Sequence, residues 1–225
     1  MADKKPKDPG FKIGIIGGTG AEGLGLAMRF ARAGDEVYIG SREAQRAEAA
    51  AKDVRDTVAE AKVKGLANTD AVAQADIVIV TVPWDAHRGI LESLAEAIGD
   101  KILVDVVVPL LFDRGAPKAI LVDEGSAAQQ ARAIARDAKV VSAFHHLDAS
   151  DLRRVDHPMQ GDVLVAGDHR GAKKTVMELV ERIEYVRALD AGELANSRYL
   201  EEWTVLLLHL NRIYKAHAGV RITGM

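Results

Sequence analysis

Short runs of β-branched and aliphatic residues alternate along the chain with longer stretches rich in Ala, Glu, Arg and Lys, the pattern of strands alternating with helices. Lys12–Gly17 (KIGIIG) is apolar and stopped by glycines, which predicts a strand, and Leu24–Ala33 has the Ala, Leu, Met and Arg content of a helix. Glu36–Gly40 (EVYIG) predicts a second strand and Glu43–Lys62 a long helix with a solvated face. Val63–Ala67 reads as a short strand, Thr69–Ala75 as a helical turn, Ile77–Val82 (IVIVTV) as a fully buried strand and His87–Ile98 as an amphipathic helix. Ile102–Val108 and Val140–Phe144 add two strands. Beyond Pro158 the pattern weakens: Asp162–Ala166 and Tyr185–Leu189 read as strands, Gly171–Ile183 as a helix, and Leu194–His217 as a long apolar helix.

This alternation predicts an α/β protein built on a doubly wound parallel sheet, with ligands bound beyond the carboxyl ends of its strands and a small helical carboxyl-terminal part. The division expected is a flexible tail over 1–10, a sheet domain over 11–190 and a helical segment over 191–225. Within the last, Trp203, Leu206, Leu207, Leu210 and Ile213 recur at helical spacing, as a core or subunit-contact face does, which makes a homodimer the expected assembly.

Composition narrows the function classes. Lys plus Arg is 30 and Asp plus Glu 33, a net charge of -3, so no overall basic field exists to hold nucleic acid or an anionic membrane. The chain has no cysteine, which excludes disulfides, thiolate catalysis and Cys-ligated metal. MADKKPKDPG at the amino end lacks the apolar segment of a secretory signal, and no apolar run reaches the ~20 residues that span a bilayer. The expected location is cytoplasmic.

The chemistry starts at Gly17-Gly18-Thr19-Gly20-Ala21-Glu22-Gly23. It contains G-x-G-x-x-G as Gly18, Gly20 and Gly23, directly after a strand and before a helix, and that context makes the fold Rossmann-like. Gly18 permits the tight turn, Gly20 lets the backbone approach a pyrophosphate and Gly23 lets the helix lie on the strand, while free N–H groups of the helix amino terminus face the phosphates. The second strand ends in Gly40-Ser41-Arg42-Glu43, where an NAD enzyme usually places an acidic residue to hold the ribose 2′-hydroxyl. Ser41 and Arg42, with Arg46 one helical turn later, suit a 2′-phosphate instead, so NADP(H) is the dinucleotide expected.

Thr81-Val82-Pro83-Trp84 ends the buried fourth strand, where the nicotinamide half would lie, and Val82, Pro83 and Trp84 would give it an apolar wall. His145 and His146 follow the sixth strand in SAFHHLDASDL, on the same sheet edge as the glycine loop. Three roles compete for them: a metal site with Asp148, Asp151 and His157, whose spacing matches no familiar set; an acid, base or orienting hydrogen-bond donor at His145; or a loop cap. From these residues alone, a reductase of a flavin or of a small imine or carbonyl, and a non-catalytic NADP sensor, both stay open.

Taken together, GGTG, GSR, PW, SAFHHL and LDAG with NSR near the carboxyl end make the chain similar to the NADPH-dependent reductases of coenzyme F420, over nearly its whole length after the tail. The resemblance implies hydride transfer between NADP(H) and the deazaflavin, with no covalent nucleophile and no metal. By position it puts Thr19, Gly20, Ala21 and Glu22 at the pyrophosphate and Ser41, Arg42 and Arg46 at the 2′-phosphate. Trp84 and its neighbours would border the nicotinamide, and His145, His146 and Leu147 the deazaflavin. Arg46 stands where members often carry Lys, and His146 where many have a smaller or less basic residue. Arg153, Arg154, Lys173 and Lys174 are the cations considered for the acidic deazaflavin tail.

Overall fold

The computed structural model describes residues 10–225; the expected tail, 1–10, lies outside them except for Gly10. The first half runs β1 (Lys12–Ile16), α1 (Ala21–Ala33), β2 (Glu36–Ser41), α2 (Ala44–Thr57), β3 (Lys62–Ala67), α3 (Asn68–Gln74), β4 (Ile77–Val80), α4 (Trp84–Ile98) and β5 (Ile102–Asp105). A hairpin of β6 (Leu110–Asp113) and β7 (Ala116–Ala119) follows, then α5 (Ala127–Ile134), β8 (Lys139–Ser142), α6 (Ala149–Arg153), β9 (Gly161–Gly167), α7 (Arg170–Val180) and β10 (Val186–Asp190). A short 3-10 turn at Leu194–Asn196 leads into α8 (Ser197–Tyr214).

Eight strands form one sheet in the order β10-β9-β8-β5-β4-β1-β2-β3. The run from β3 to β8 is parallel and doubly wound about β1 and β4, as expected, so the switch in strand order opens beyond Ile16 and Val80. The last two strands depart from the all-parallel expectation: β9 lies antiparallel to β8, and β10 parallel to β9. The cause is the short α6. Arg29 of α1, buried, holds this segment by donating to the carbonyls of Asp151, Leu152, Arg154 and His157 at 2.6–3.1 Å. The chain therefore stays near the carboxyl edge and re-enters the sheet from that side.

Alternation along the strands builds a core on each face. Ile77 and Ile79 face one core with Leu26 and Phe30 of α1, Val54 of α2 and Leu179 of α7; Val78 and Val80 face the other with Val72 of α3, Leu91 and Leu94 of α4 and Ala131 of α5. The helix expected over Glu43–Lys62 stops at Thr57, because Glu60 takes φ 59° and turns the chain into β3. The strand expected to reach Val108 ends at Asp105, whose carboxylate accepts from the Val107 N–H at 3.0 Å and draws the backbone out of the ladder.

Candidate functional site

Gly17 takes φ 83°, which sets the chain turning after β1, and Gly20 N–H donates to Gly17 O at 2.9 Å. Gly20 caps α1 with no side-chain hydrogen bond, so the first-turn N–H groups are left for a ligand. Gly23 seats α1 on the sheet: a Cβ there would lie 2.5 Å from Thr81 Oγ1 and 2.7 Å from Gly18 Cα.

This turn opens on a cavity of about 580 Å³ beyond the carboxyl ends of β1, β2, β4 and β5. Thr19, Gly20, Ala21 and Glu22 line it near the turn, Ser41, Arg42 and Arg46 line it beside β2, and Val82 and Pro83 line it after β4. Arg46 lies 3.7 Å from Glu43, whereas Arg42 has no ion pair among the described residues. The arrangement fits an NADP-type dinucleotide: uncapped helix N–H groups for pyrophosphate, and two guanidiniums at the end of the second strand for a further phosphate. Gly18 and Gly23 shape the turn from behind and do not line the cavity.

Trp84 is placed differently from the expectation. It opens α4 and stacks on His87 with ring centroids 5.5 Å apart, while Ala86 and Ile90 of the same helix line the cavity. Beneath it lies a buried polar chain that sequence reasoning missed. His87 Nε2 meets Asp105 Oδ2 at 2.7 Å and Nδ1 meets Gln130 Oε1 at 3.0 Å. Gln130 Nε2 donates to Glu124 at 3.2 Å, which Arg88 pairs at 2.6 Å. Burial pushes the imidazole toward the neutral form, but Asp105 and Gln130 together outweigh it and raise its pKa.

A second cavity, about 280 Å³, is lined by His145, His146 and Leu147 after β8 and by Thr204, Leu207 and Leu208 of α8. Burial, with His146 beside it, pushes His145 down to about 3; burial likewise pushes His146 down to about 4 although its Nε2 meets Leu200 O at 3.2 Å. Both are neutral at pH 7. Neither ring nitrogen of His145 has a hydrogen-bond partner among the described residues, so the ring can donate to or accept from a ligand carbonyl without bringing in a charge. Glu22, Val106 and Val108 line both cavities and form their common wall. The sequence signal for that wall was the VVVP run after β5.

Of the residues weighed for a metal, Asp148 and Asp151 come together with His217 rather than with His145, His146 or His157. Asp148 is engaged there, capping α6 through the Ser150 and Asp151 N–H groups and meeting His217 at 2.9 Å. None of Arg153, Arg154, Lys173 or Lys174 lines either cavity; Lys173 holds Asp190 at 2.7 Å and Arg154 lies 3.6 Å from Asp151.

Residues 12–109 match the family described as NADP oxidoreductase, coenzyme F420-dependent. The F420-dependent NADP reductase of Methanothermobacter thermautotrophicus is 44% identical over 222 residues, 96% of each chain. That of Methanocaldococcus jannaschii is 38% identical over 96% of this chain and 99% of its own. A crystal structure of a candidate F420-dependent NADP reductase from Arthrobacter sp. FB24 superposes with a TM-score of 0.81 at 28% identity, covering 95% of this chain and 100% of that one.

Proposed function

Because this chain belongs to the family of coenzyme F420-dependent NADP oxidoreductases, we propose that NADP(H) occupies the cavity beside the glycine turn and the deazaflavin the cavity beside His145. The protein is an NADP-dependent oxidoreductase that passes a hydride between NADP(H) and coenzyme F420. The two bound ring systems supply the hydride chemistry, and the chain supplies position and dryness. The observation that carries the arrangement is the common wall of Glu22, Val106 and Val108, which makes the two cavities neighbours along one edge.

In this reading Thr19, Gly20, Ala21 and Glu22 line the pyrophosphate, and Gly18 and Gly23 shape that turn from behind. Ser41, Arg42 and Arg46 take the 2′-phosphate. Val82 and Pro83 border the nicotinamide, and Trp84 supports them from behind through its stack on His87. His145 orients the second ring by a hydrogen bond from a neutral imidazole, with His146 and Leu147 beside it.

The assembly proposed is a homodimer through α8. Tyr199, Leu206 and Ile213, seven residues apart, leave 60%, 53% and 68% of their surface exposed, and Phe112 of the hairpin adds another bare ring. The hairpin rests on α8, where His209 Nε2 donates to Pro117 O at 2.8 Å. We also treat 11–190 as the NADP-binding unit and 191–225 as a segment that closes the second cavity, a division supported by Thr204 and Leu207 lining it. Among the described residues no helix is long and apolar enough to cross a membrane; a cytoplasmic location goes with a reductase of two diffusible coenzymes.

The test is to mix the purified protein with NADPH and oxidised F420 and follow the deazaflavin absorbance, with NADH as control donor. Bleaching with NADPH and little with NADH is expected. Turnover of free flavin without turnover of the deazaflavin would overturn the assignment of the second cavity.

A further inference from the structure

Glu22 stands in the first turn of α1, half-buried as a residue, with its Oε1 shut off from solvent and no hydrogen-bond partner among the described residues. It is one of three residues that line both cavities, and the only ionisable one of the three. No cation pairs with it among the described residues. The charged groups about it come from several elements. Asp148, at the amino end of α6, lines the second cavity and adds negative charge, with His217 and Asp151 engaged around it. His145 and His146 on the loop after β8 are neutral. Arg42, Arg46 and Glu43 line the first cavity beside β2. Burial, and then Asp148, push the Glu22 carboxyl up to about 8 even before any phosphate is near it.

A pyrophosphate on the glycine turn would bring further negative charge to a carboxyl that already has no counter-ion. Repulsion between like charges in a poorly solvated site then favours the protonated acid in the complex. We propose that Glu22 is the proton-binding group of the nucleotide site: with NADP(H) in the first cavity it holds a proton, as a neutral O–H, at the wall shared with the second, and at alkaline pH it takes that proton up as NADP(H) enters. The proton held there lies where the net reaction consumes one, since NADPH plus an oxidised acceptor plus a proton gives NADP⁺ plus the reduced acceptor. Reverse transfer returns it. This rests on the proposed placement of NADP(H) in the first cavity.

Linkage gives the sign. A group whose pKa is higher in the complex than in the free protein makes binding weaken as pH rises through the free value, by as much as tenfold per pH unit. The experiment measures NADPH affinity from pH 7 to pH 10 for the wild-type protein and Glu22→Gln, and proton uptake by calorimetry in two buffers of different ionisation enthalpy. The window avoids the ~6 pKa of a phosphate monoester. Wild type is expected to take up about half a proton per site at pH 8 and to bind roughly tenfold more weakly at pH 9 than at pH 7. Glu22→Gln, neutral throughout, is expected to take up none, and its affinity for NADPH, whatever its absolute value, is expected to stay flat from pH 7 to pH 10.

Glu201, the other carboxyl pushed up to about 8, lines neither cavity, so uptake that persists in Glu22→Gln belongs elsewhere and overturns the proposal. So does the absence of uptake in wild type, a measurement that stands even if the variant fails to fold. Arg42→Ala separates the premise: unchanged NADPH affinity in that variant would remove the nucleotide from this cavity, and the role of Glu22 with it.

Discussion

His87 Nε2 and Asp105 Oδ2 meet at 2.7 Å with both side chains fully buried, Asp105 being the residue before Val106 of the wall that the two cavities share. With Gln130 Oε1 on the other ring nitrogen, both nitrogens of the imidazole meet acceptors, the environment of an imidazolium. A histidine whose folded pKa is raised contributes stability that is complete below its unfolded value, near 6.5, and is lost as pH rises through the folded value. His87→Gln leaves the Asp105 carboxylate buried without its cation, which is expected to lower stability by about 3–5 kcal/mol at pH 6. The gap between variant and wild type is expected to narrow as pH climbs above the raised value. Thermal melts of both proteins across pH 6–9 measure it, and a gap that stays constant would mean that His87 is neutral in the fold.

Arg42 and the 2′-phosphate give the second prediction. A guanidinium at the end of β2 with no ion pair among the described residues is able to form a charge-assisted pair that an NADH ribose cannot answer. Arg42→Ala is expected to weaken NADPH binding by about 10- to 100-fold, from roughly 1.5–3 kcal/mol for a hydrogen bond to a charged group, and to leave NADH binding nearly unchanged. Arg46→Ala is expected to do less, because Glu43 already lies 3.7 Å from it. Fluorescence titration with both nucleotides checks the difference; equal losses would place the 2′-phosphate elsewhere.

Most of the lining of the first cavity was legible because its residues are local in sequence. The turn from Gly17 to Gly23 and the Ser41-Arg42 pair each sit at the end of one strand, and a strand end on the carboxyl edge is a place that pattern alone can locate. What escaped depends on contacts between distant segments. Asp105 ends β5 early because it meets His87 and the Val107 N–H, and no periodicity in ILVDVVV reports that. The reversal of β9 follows from Arg29 holding carbonyls more than 120 residues away. The hairpin at Leu110–Asp113 and Ala116–Ala119 carries bare Leu111 and Phe112, so it lacks the alternation that marks a strand against a core. Trp84, expected beside the nicotinamide from its position after β4, stacks on His87, while Ala86 and Ile90 of the same helix line the first cavity.

Gly23 links the turn to stability. With a Cβ 2.5 Å from Thr81 Oγ1 and 2.7 Å from Gly18 Cα, α1 has to lift off the sheet or the glycine turn has to shift. Thr81 cannot easily yield, since its Oγ1 donates to Ile16 O at 3.1 Å. Gly23→Ala is expected to cost about 1–3 kcal/mol of stability and to weaken NADPH binding, because the same backbone that moves is the one facing the phosphates. A melt and a titration on the same sample measure both; a variant with wild-type values in each would show that α1 is not tightly seated.

The exposed apolar face of α8 bears on the assembly. Tyr199, Leu206 and Ile213 recur every seven residues, so they lie on one stripe, while Leu200 and Leu207, one position on from two of them, are buried against the body of the protein. A stripe of this kind left in water is unfavourable by the ~25 cal/mol per Å² of apolar surface, which pairing with a second copy would recover. Sedimentation of the wild-type protein is therefore expected to give twice the 24.2 kDa chain mass. Leu206→Glu combined with Ile213→Glu is expected to give the single-chain mass with an intact circular dichroism spectrum, because neither side chain is needed to fill the core. If wild type already sediments as a single chain, α8 is not a subunit contact. Because Thr204 and Leu207 of the same helix line the second cavity, the separated chains are also expected to bind the deazaflavin more weakly than NADPH relative to wild type.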